Sequence, residues 1–506
     1  MEARGTLNAV TRPPHALTAV SSGDVAAIVD PHFDAALDAG RAPGMAYGVL
    51  VNGHLVHTRG LGARALPAGA PPDADTGFRI ASMTKSFTAA TVLCLRDAGA
   101  LNLDASAAEF VPELGGAGDV TIRHLLTMGG GFLTDDPWGD RQQDLSVPEF
   151  RRLLGTGIRP SWAPGERFEY SNLGYALIGL VIEAVTGTAY VDAVQTHVLD
   201  PLALRSTGFA VSDISAPVST GYVRRTAGWH EEPIAPSGAF SPMGGLLSTV
   251  NDLATWVALL QGVHEAEWSG PPKALGLGTQ SLREMQVTQR LVAAQVSKEP
   301  GGAPDVTGYG FGLFEDFRSW GRSVYHSGGY PGFGSHMRWH PASGLGIVAL
   351  ANGTYAPMST VGLAALRDLV LQLGAPVRQP PVDLPGLEVA RSATTAWLAA
   401  EDPEGEEARV LRALFADNVE RDVPWAERVT VWRSLRASEG VLRPTTTPAT
   451  HPSPGSLSWQ MTGAVSGNRH QVVVMVAPHD TRLVQSIEVK AVAEPALPPP
   501  VSTDLR

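Results

Sequence analysis

The sequence holds a single cysteine, Cys94, so no intramolecular disulfide can form. Cys94 falls among apolar residues and reads as a small buried hydrophobe rather than a thiol nucleophile. Charge is also scarce: Asp, Glu, Lys and Arg make up 17% of the 506 residues. Acidic residues outnumber basic ones by 50 to 38, the formal net charge is −12, and no long basic run breaks the pattern. Nucleic-acid partners are therefore not expected. No apolar run is long enough to span a bilayer; the most apolar, near Tyr175–Val185, is short and carries Glu183. Met1–Val20 lacks a basic segment followed by an apolar one and contains Pro13 and Pro14. The expectation is a cytoplasmic protein without a membrane partner. Two motifs are missing as well. Without Gly-x-Ser-x-Gly an α/β-hydrolase is a poor reading, and no Gly-rich stretch runs into Gly-Lys-Ser/Thr to make a phosphate loop. No cofactor is expected, and no metal: His54 and His57 stand on a strand hairpin with no further ligand cluster and read as surface positions.

What is present is a long globular chain with two domains as the soft expectation. Residues 1–24 read as a loose arm, with an amphipathic helix from Val25 to Ala39 stopped by Gly40. Two β-rich runs flank Asn52-Gly53, a strong hairpin signal. Phe78–Ala98 reads as a helix that Ser82 opens, and helices are expected at Thr121–Met128, Pro148–Leu154, from the 168–175 stretch to Thr186, at Tyr190–Val198, up to Leu260, and near Ser281–Ala294. Short strands follow at Tyr309–Glu315, Ser323–Ser327, Gly334–His340 and Leu345–Asn352, then a helix at Ser359–Leu373. Strands at both ends with helices between predict one sheet built from both ends of residues 25–374, with helices packed on it and a helical lobe inserted. Four prolines between Ala375 and Pro385 mark a linker over 375–389. Beyond it, helices at Thr394–Leu398, Glu406–Phe415 and Pro424–Ser438 and strands at Ser456–Thr462, Gln471–Val476 and Leu483–Val492 predict a small α+β domain over 390–494, with a Pro-rich tail at 495–506. That domain's His451, His470 and His479 share no spacing, so it reads as a packing module; the sharper alternative is a loop over the cleft.

Three stretches carry chemistry. In Ser82-Met83-Thr84-Lys85 the hydroxyl and the amine sit at i and i+3, which share a helix face. Serine needs a nearby base, and a lysine serves only if its pKa is lowered. A Ser82 at a helix start would also leave its N–H free to stabilise an oxyanion. Tyr170-Ser171-Asn172 offers a tyrosine that a neighbouring lysine could drive toward phenolate, an amide, and a helix cap at Ser171 or Asn172. His326-Ser327-Gly328-Gly329 ends a strand, where glycines permit a close backbone approach. Gly329 N–H could be a second oxyanion donor, and His326 could hold the tyrosine or a substrate oxygen. Each stretch alone also fits a bland reading: a solvated helix face, a buried Tyr beside a cap, a Gly-rich turn.

Taken in order, Ser82-x-x-Lys85, Tyr170-x-Asn172 and His326-x-Gly328 resemble the serine β-lactamase and penicillin-binding-protein superfamily, nearest its class C-like branch of family VIII esterases, D-aminopeptidases and peptide-cyclising thioesterases. Phe78–Phe87, Leu101–Asp104, Ile122–Thr127, Asp200–Leu202 and Gly244–Thr249 add to the likeness. The resemblance implies an α+β fold of the β-lactamase/transpeptidase type: an antiparallel sheet flanked by helices plus a helical lobe, followed by the small C-terminal α+β domain. It implies Ser82 as acylated nucleophile, Lys85 and Tyr170 sharing base and acid work, Asn172 positioning the acyl side chain, and Ser82 and Gly329 N–H groups as oxyanion hole, with His326, Ser327 and Gly328 lining the substrate. Where the branch often has Lys-Thr-Gly, this chain has His326-Ser327-Gly328. Lysine is a fixed cation suited to a carboxylate and histidine is largely neutral near pH 7. The expectation is a hydrolase of small-molecule esters, amides or peptides, with D-amino-acid derivatives among the candidates, rather than a dedicated β-lactamase. A thioesterase or peptide cyclase, or a β-lactam-binding protein that acylates and stalls, are the alternatives. Oligomeric state is not legible.

Overall fold

The structure, a computed structural model, describes residues 20–115, 119–215, 217–264, 268–296, 304–373, 384–447, 449–450, 453 and 455–492. Most of the expected arm, the expected tail, His451 and residues 375–383 of the expected linker lie outside the described residues. The chain divides into two compact units, Met1–Arg378 and Gln379–Arg506.

In the first unit the strands are β1 (Gly44–Val51), β2 (His54–Gly62), β3 (Phe78–Arg79), β4 (Gly221–Arg225), β5 (Gly228–Glu232), β6 (Leu247–Ser248), β7 (Arg290–Val296), β8 (Pro304–Tyr309), β9 (Phe314–Arg318), β10 (Gly321–Tyr330), β11 (Phe333–His340) and β12 (Leu345–Ala351). Eight of them form one sheet in the order β2-β1-β12-β11-β10-β9-β8-β7. Neighbouring strands all pair antiparallel, and β1 meets β12 with Met45 opposite Ala351. Successive side chains leave opposite faces of a strand, and β1 uses both. Ala46 and Leu50 join the core under the helical lobe. Met45, Tyr47, Val49 and Val51 join a second core with Val25, Phe33 and Leu366. The helices Ser22–Asp38 and Met358–Gln372 cover that second face. The sheet is thus a middle layer, buried on both sides.

Four expectations are corrected. Ser281–Ala294 is not one helix: Thr279–Met285 is helical and Arg290 starts β7, because the β-branched and apolar run Leu291–Val296 pairs with β8. The strand expected at Tyr309–Glu315 is two strands, β8 and β9, turned by Gly312 at φ +68°. The hairpin β4–β5 adds two strands where none was expected. His57, read as a surface position, bonds to Asp30 at 2.8 Å and is mostly buried.

The second unit is α+β. Strands β13 (Leu442–Pro444), β14 (Ser456–Gly463), β15 (Arg469–Val476) and β16 (Val484–Ala491) pair antiparallel in sequence order. Helices at Pro385–Ala399 and Trp425–Glu439 pack Leu387, Trp397 and Trp432 with Trp459 and Val474 of the sheet. Helix begins at Pro385, inside the span read as linker, because proline fits the first helical turn. Among the described residues no single helix is long and apolar enough to cross a membrane.

Candidate active site

Ser82 does not open the α-helix. It occupies a 3₁₀ turn, Ala81–Met83, that precedes the helix Thr84–Asp97. Ala81 holds φ +49°, a left-handed conformation that L-residues adopt at a cost. Neighbours hold the turn in place. Ser335 Oγ donates to Ile80 O at 2.7 Å, and Ile80 N donates to Leu246 O at 2.9 Å. Gly328 is where β10 passes this turn. A Cβ there would stand 2.3 Å from Ile80 O and 2.9 Å from Ala81 Cβ. Its smallness therefore admits the nucleophile's own turn, where a substrate backbone was expected. Gly329 likewise makes room for Tyr355, whose Cδ1 a Cβ would meet at 2.6 Å.

The helix carries Lys85 one turn on, with the side chain fully buried. Lys85 Nζ lies 2.9 Å from Ser82 Oγ, 2.8 Å from Asn172 Oδ1 and 2.7 Å from Met243 O. Burial pulls the ammonium down to about 8, against the charges of Asp136, Asp140 and Asp135, which support it. Two of the three partners are carbonyl oxygens, which only accept. A neutral amine has two N–H donors and one lone pair. Its donors go to Asn172 and Met243, so the lone pair faces the Ser82 hydroxyl.

Asn172 is free for this because Ser171 is the cap: its Oγ accepts from Gly174 N at 3.2 Å at the start of the helix Asn172–Thr186. Asn172 Nδ2 donates to Asp136 Oδ1. Asp135 accepts from the N–H groups of Asn172 and Leu173 at 2.8 and 2.7 Å. Tyr170 hydrogen-bonds Ser82, and burial drives its phenol well above the usual range. The expectation of a phenolate is corrected: burial favours the protonated phenol. Lys85 Nζ stands 4.9 Å from the centre of its ring.

His326 is buried, and burial followed by the Lys85 charge lowers it to about 3. Its Nδ1 donates to Ser327 O at 2.7 Å and its Nε2 faces Tyr309 OH at 3.3 Å. It therefore engages Tyr309, not Tyr170, and is neutral. Phe314 bridges the two, with ring centres 6.4 Å from Tyr170 in a stacked arrangement and 5.3 Å from His326 in a tilted one. Cys94 is buried and burial pushes its thiol up to about 12, so it supplies no thiolate.

A cavity of about 490 Å³ gathers Ser82, Tyr170, His326, Ser327 and Gly329 with Asp136, Pro137, Asp140, Phe314 and Tyr355. Lys85 and Asn172 stand behind Ser82, and Gly328 lies under its turn. Both residues expected to give oxyanion N–H donors, Ser82 and Gly329, line the same space. Sequence reasoning missed Asp136, Asp140, Phe314 and Tyr355. Asp140 Oδ2 accepts from Tyr355 OH at 2.7 Å, and burial raises the carboxyl to about 6. Its signal was faint: no element is expected between Met128 and Pro148, and nothing in that stretch marks one acid from another.

A protein-family model described as Beta-lactamase matches residues 29–372. Protein flp of Staphylococcus aureus (strain MW2) is 27% identical over 341 residues, 64% of this chain and 62% of that protein. The chain thus spans less than two thirds of that relative. Esterase EstB of Burkholderia gladioli is 33% identical over 214 residues, 38% of this chain and 54% of EstB. Among solved structures, a D-stereospecific amidohydrolase from Streptomyces sp. superposes with a TM-score of 0.52 at 26% identity, covering 67% of this chain and 97% of that one. The fold is of the β-lactamase/transpeptidase type, with a C-terminal sheet domain added, and relatives that share it include hydrolases. The chain belongs to the Beta-lactamase family.

Proposed function

We propose that this chain is a serine hydrolase that forms an acyl-enzyme on Ser82 and cleaves esters or small amides. The observation that carries the reading is the coordination of Lys85 Nζ, whose two carbonyl partners leave its lone pair for the Ser82 hydroxyl. Ser82 Oγ attacks the acyl carbonyl as its proton passes to Lys85, and the N–H groups of Ser82 and Gly329 receive the oxyanion. As the tetrahedral intermediate collapses and the bond from the acyl carbon to the leaving group breaks, Tyr170 O–H donates to the leaving oxygen or nitrogen and regains its proton from the Lys85 ammonium, which leaves the acyl group on Ser82 Oγ. Water then enters where the leaving group departed, and the same groups work in reverse to free the acid. Among the described residues that line the cavity none is Lys or Arg. A neutral His326 opposite two carboxylates supports uncharged acyl donors over those carrying a carboxylate.

A fluorophosphonate tests this directly. Intact mass should rise by one adduct, and peptide mapping should place it on Ser82. An adduct elsewhere, or none, overturns the reading.

The Asp136 charge is the largest of those that hold the Lys85 ammonium up. In Asp136→Asn the amine should be neutral at lower pH. The acidic limb of kcat/KM is expected to move down by up to about one pH unit. A limb that stays put would detach it from Lys85.

A further inference from the structure

Ser323, Tyr325 and Ser327 alternate along β10 on the face covered by the helix Met358–Gln372. Opposite them in register stand Asp316 on β9, and Arg338 and His336 on β11. This face should be apolar, yet Asp316, Arg338 and His336 are all buried in it. Their hydrogen bonds run one way. Arg338 Nη1 donates to Asp316 Oδ2 at 3.0 Å and to Ser323 Oγ at 2.7 Å, and its guanidinium lies 3.7 Å from the centre of the Tyr325 ring. Arg338 Nε donates to His336 Nε2 at 3.3 Å. Arginine only donates, so His336 Nε2 is an acceptor and the ring proton sits on Nδ1. Burial and the Arg338 charge hold His336 well below its usual range, so the ring carries that one proton only. Nδ1–H therefore donates to Ser327 Oγ, 2.8 Å away. The Ser327 hydroxyl, accepting from His336, keeps its own proton to give, and Ser327 lines the cavity.

The ring is also fixed mechanically. Gly362, inside the covering helix, lies against it: a Cβ there would stand 2.5 Å from His336 Cδ2. Glycine inside a helix is destabilising against alanine, and here it makes space for an imidazole.

We propose that His336 is a positioning residue: the row Asp316–Arg338–His336 sets the polarity of the Ser327 hydroxyl, making it a hydrogen-bond donor to an uncharged acceptor atom of the bound acyl substrate. This rests on the hydrolase reading of the same cavity. The test is a double-mutant cycle with a p-nitrophenyl ester, alongside fluorophosphonate labelling of Ser82. His336→Leu and Ser327→Ala should each raise KM about five- to tenfold, the worth of one hydrogen bond, with kcat changed less. The double variant should be no worse than Ser327→Ala alone. His336→Asn, whose amide can replace Nδ1–H, should recover most of the loss. Gly362→Ala, which crowds the ring without removing any hydrogen-bonding group, should raise KM in the same direction. It also serves if His336→Leu does not fold. Multiplying effects in the double variant, or an unchanged KM in Ser327→Ala, overturn the proposal. Labelling of Ser82 in every variant shows that the acyl-enzyme reading stands independently; labelling absent from the wild type sinks that reading first.

Discussion

Ser82→Ala is expected to lower kcat/KM at least ~10⁴-fold and to abolish fluorophosphonate labelling. The substitution removes only the oxygen. Its turn is held by other bonds, from Ser335 Oγ to Ile80 O and from Ile80 N to Leu246 O, so the fold and the cavity should persist. Tyr170 and Lys85 lose their common partner, yet the carbonyls of Asn172 and Met243 still hold Lys85. The variant should melt within a few degrees of wild type and still bind substrate. Ester turnover at the wild-type rate would move the chemistry to another group.

Lys85→Met is expected to cost about 10²- to 10⁴-fold in kcat/KM, the range for a positioned proton acceptor. Its stability should change little at neutral pH, because two opposing effects meet. Removing a buried cation relieves desolvation, while the Asn172 and Met243 carbonyls lose their donor. The pH dependence separates them. In the folded protein Lys85 titrates at about 8, against 10.5 for a free lysine. Between these values the unfolded chain binds more protons than the folded one, so wild-type stability rises with pH across that window. Below it the burial cost of the ammonium is fully present. Lys85→Met should remove this slope. Wild-type activity should rise with pH around a midpoint near 8, as the amine becomes neutral. Urea midpoints and kcat/KM measured from pH 6 to 10.5 check both statements. An identical stability slope in the two proteins would mean that Lys85 is not the titrating group.

The pairing of Ser82 with Lys85 was legible because their short local spacing survives whether the segment is a 3₁₀ turn or a helix. Tyr170 and Asn172 were found through their order along the chain, and Ser171 as a cap. What could not be read is set by contacts across the fold. Asp136 and Asp140 sit in a loop, where acids ordinarily face water; only the assembled cavity buries Asp140. His336 and Arg338 alternate with Ser335 and Met337, a pattern that looks like a solvated strand face until Met358–Gln372 covers it. The phenolate expectation for Tyr170 failed because proximity to Lys85 was weighed and burial was not. The 281–294 misreading has the same root. Leu291–Val296 is short, and its pairing with β8 decides its state.

The closure of the sheet by β1 and β12 has a consequence in time. Ser82 and Lys85 lie near the start of the chain, but the Ser335 hydroxyl that fixes their turn lies 255 residues away from Ile80. The strand β1, beside them in sequence, finds its partner only at residues 345–351. Pairings this distant close large loops and form slowly. A chain leaving the ribosome therefore exposes its serine and lysine long before either is held in register. On the proposed hydrolase reading, reactivity arrives late, when β12 docks, and an unfinished polypeptide carries an ordinary serine.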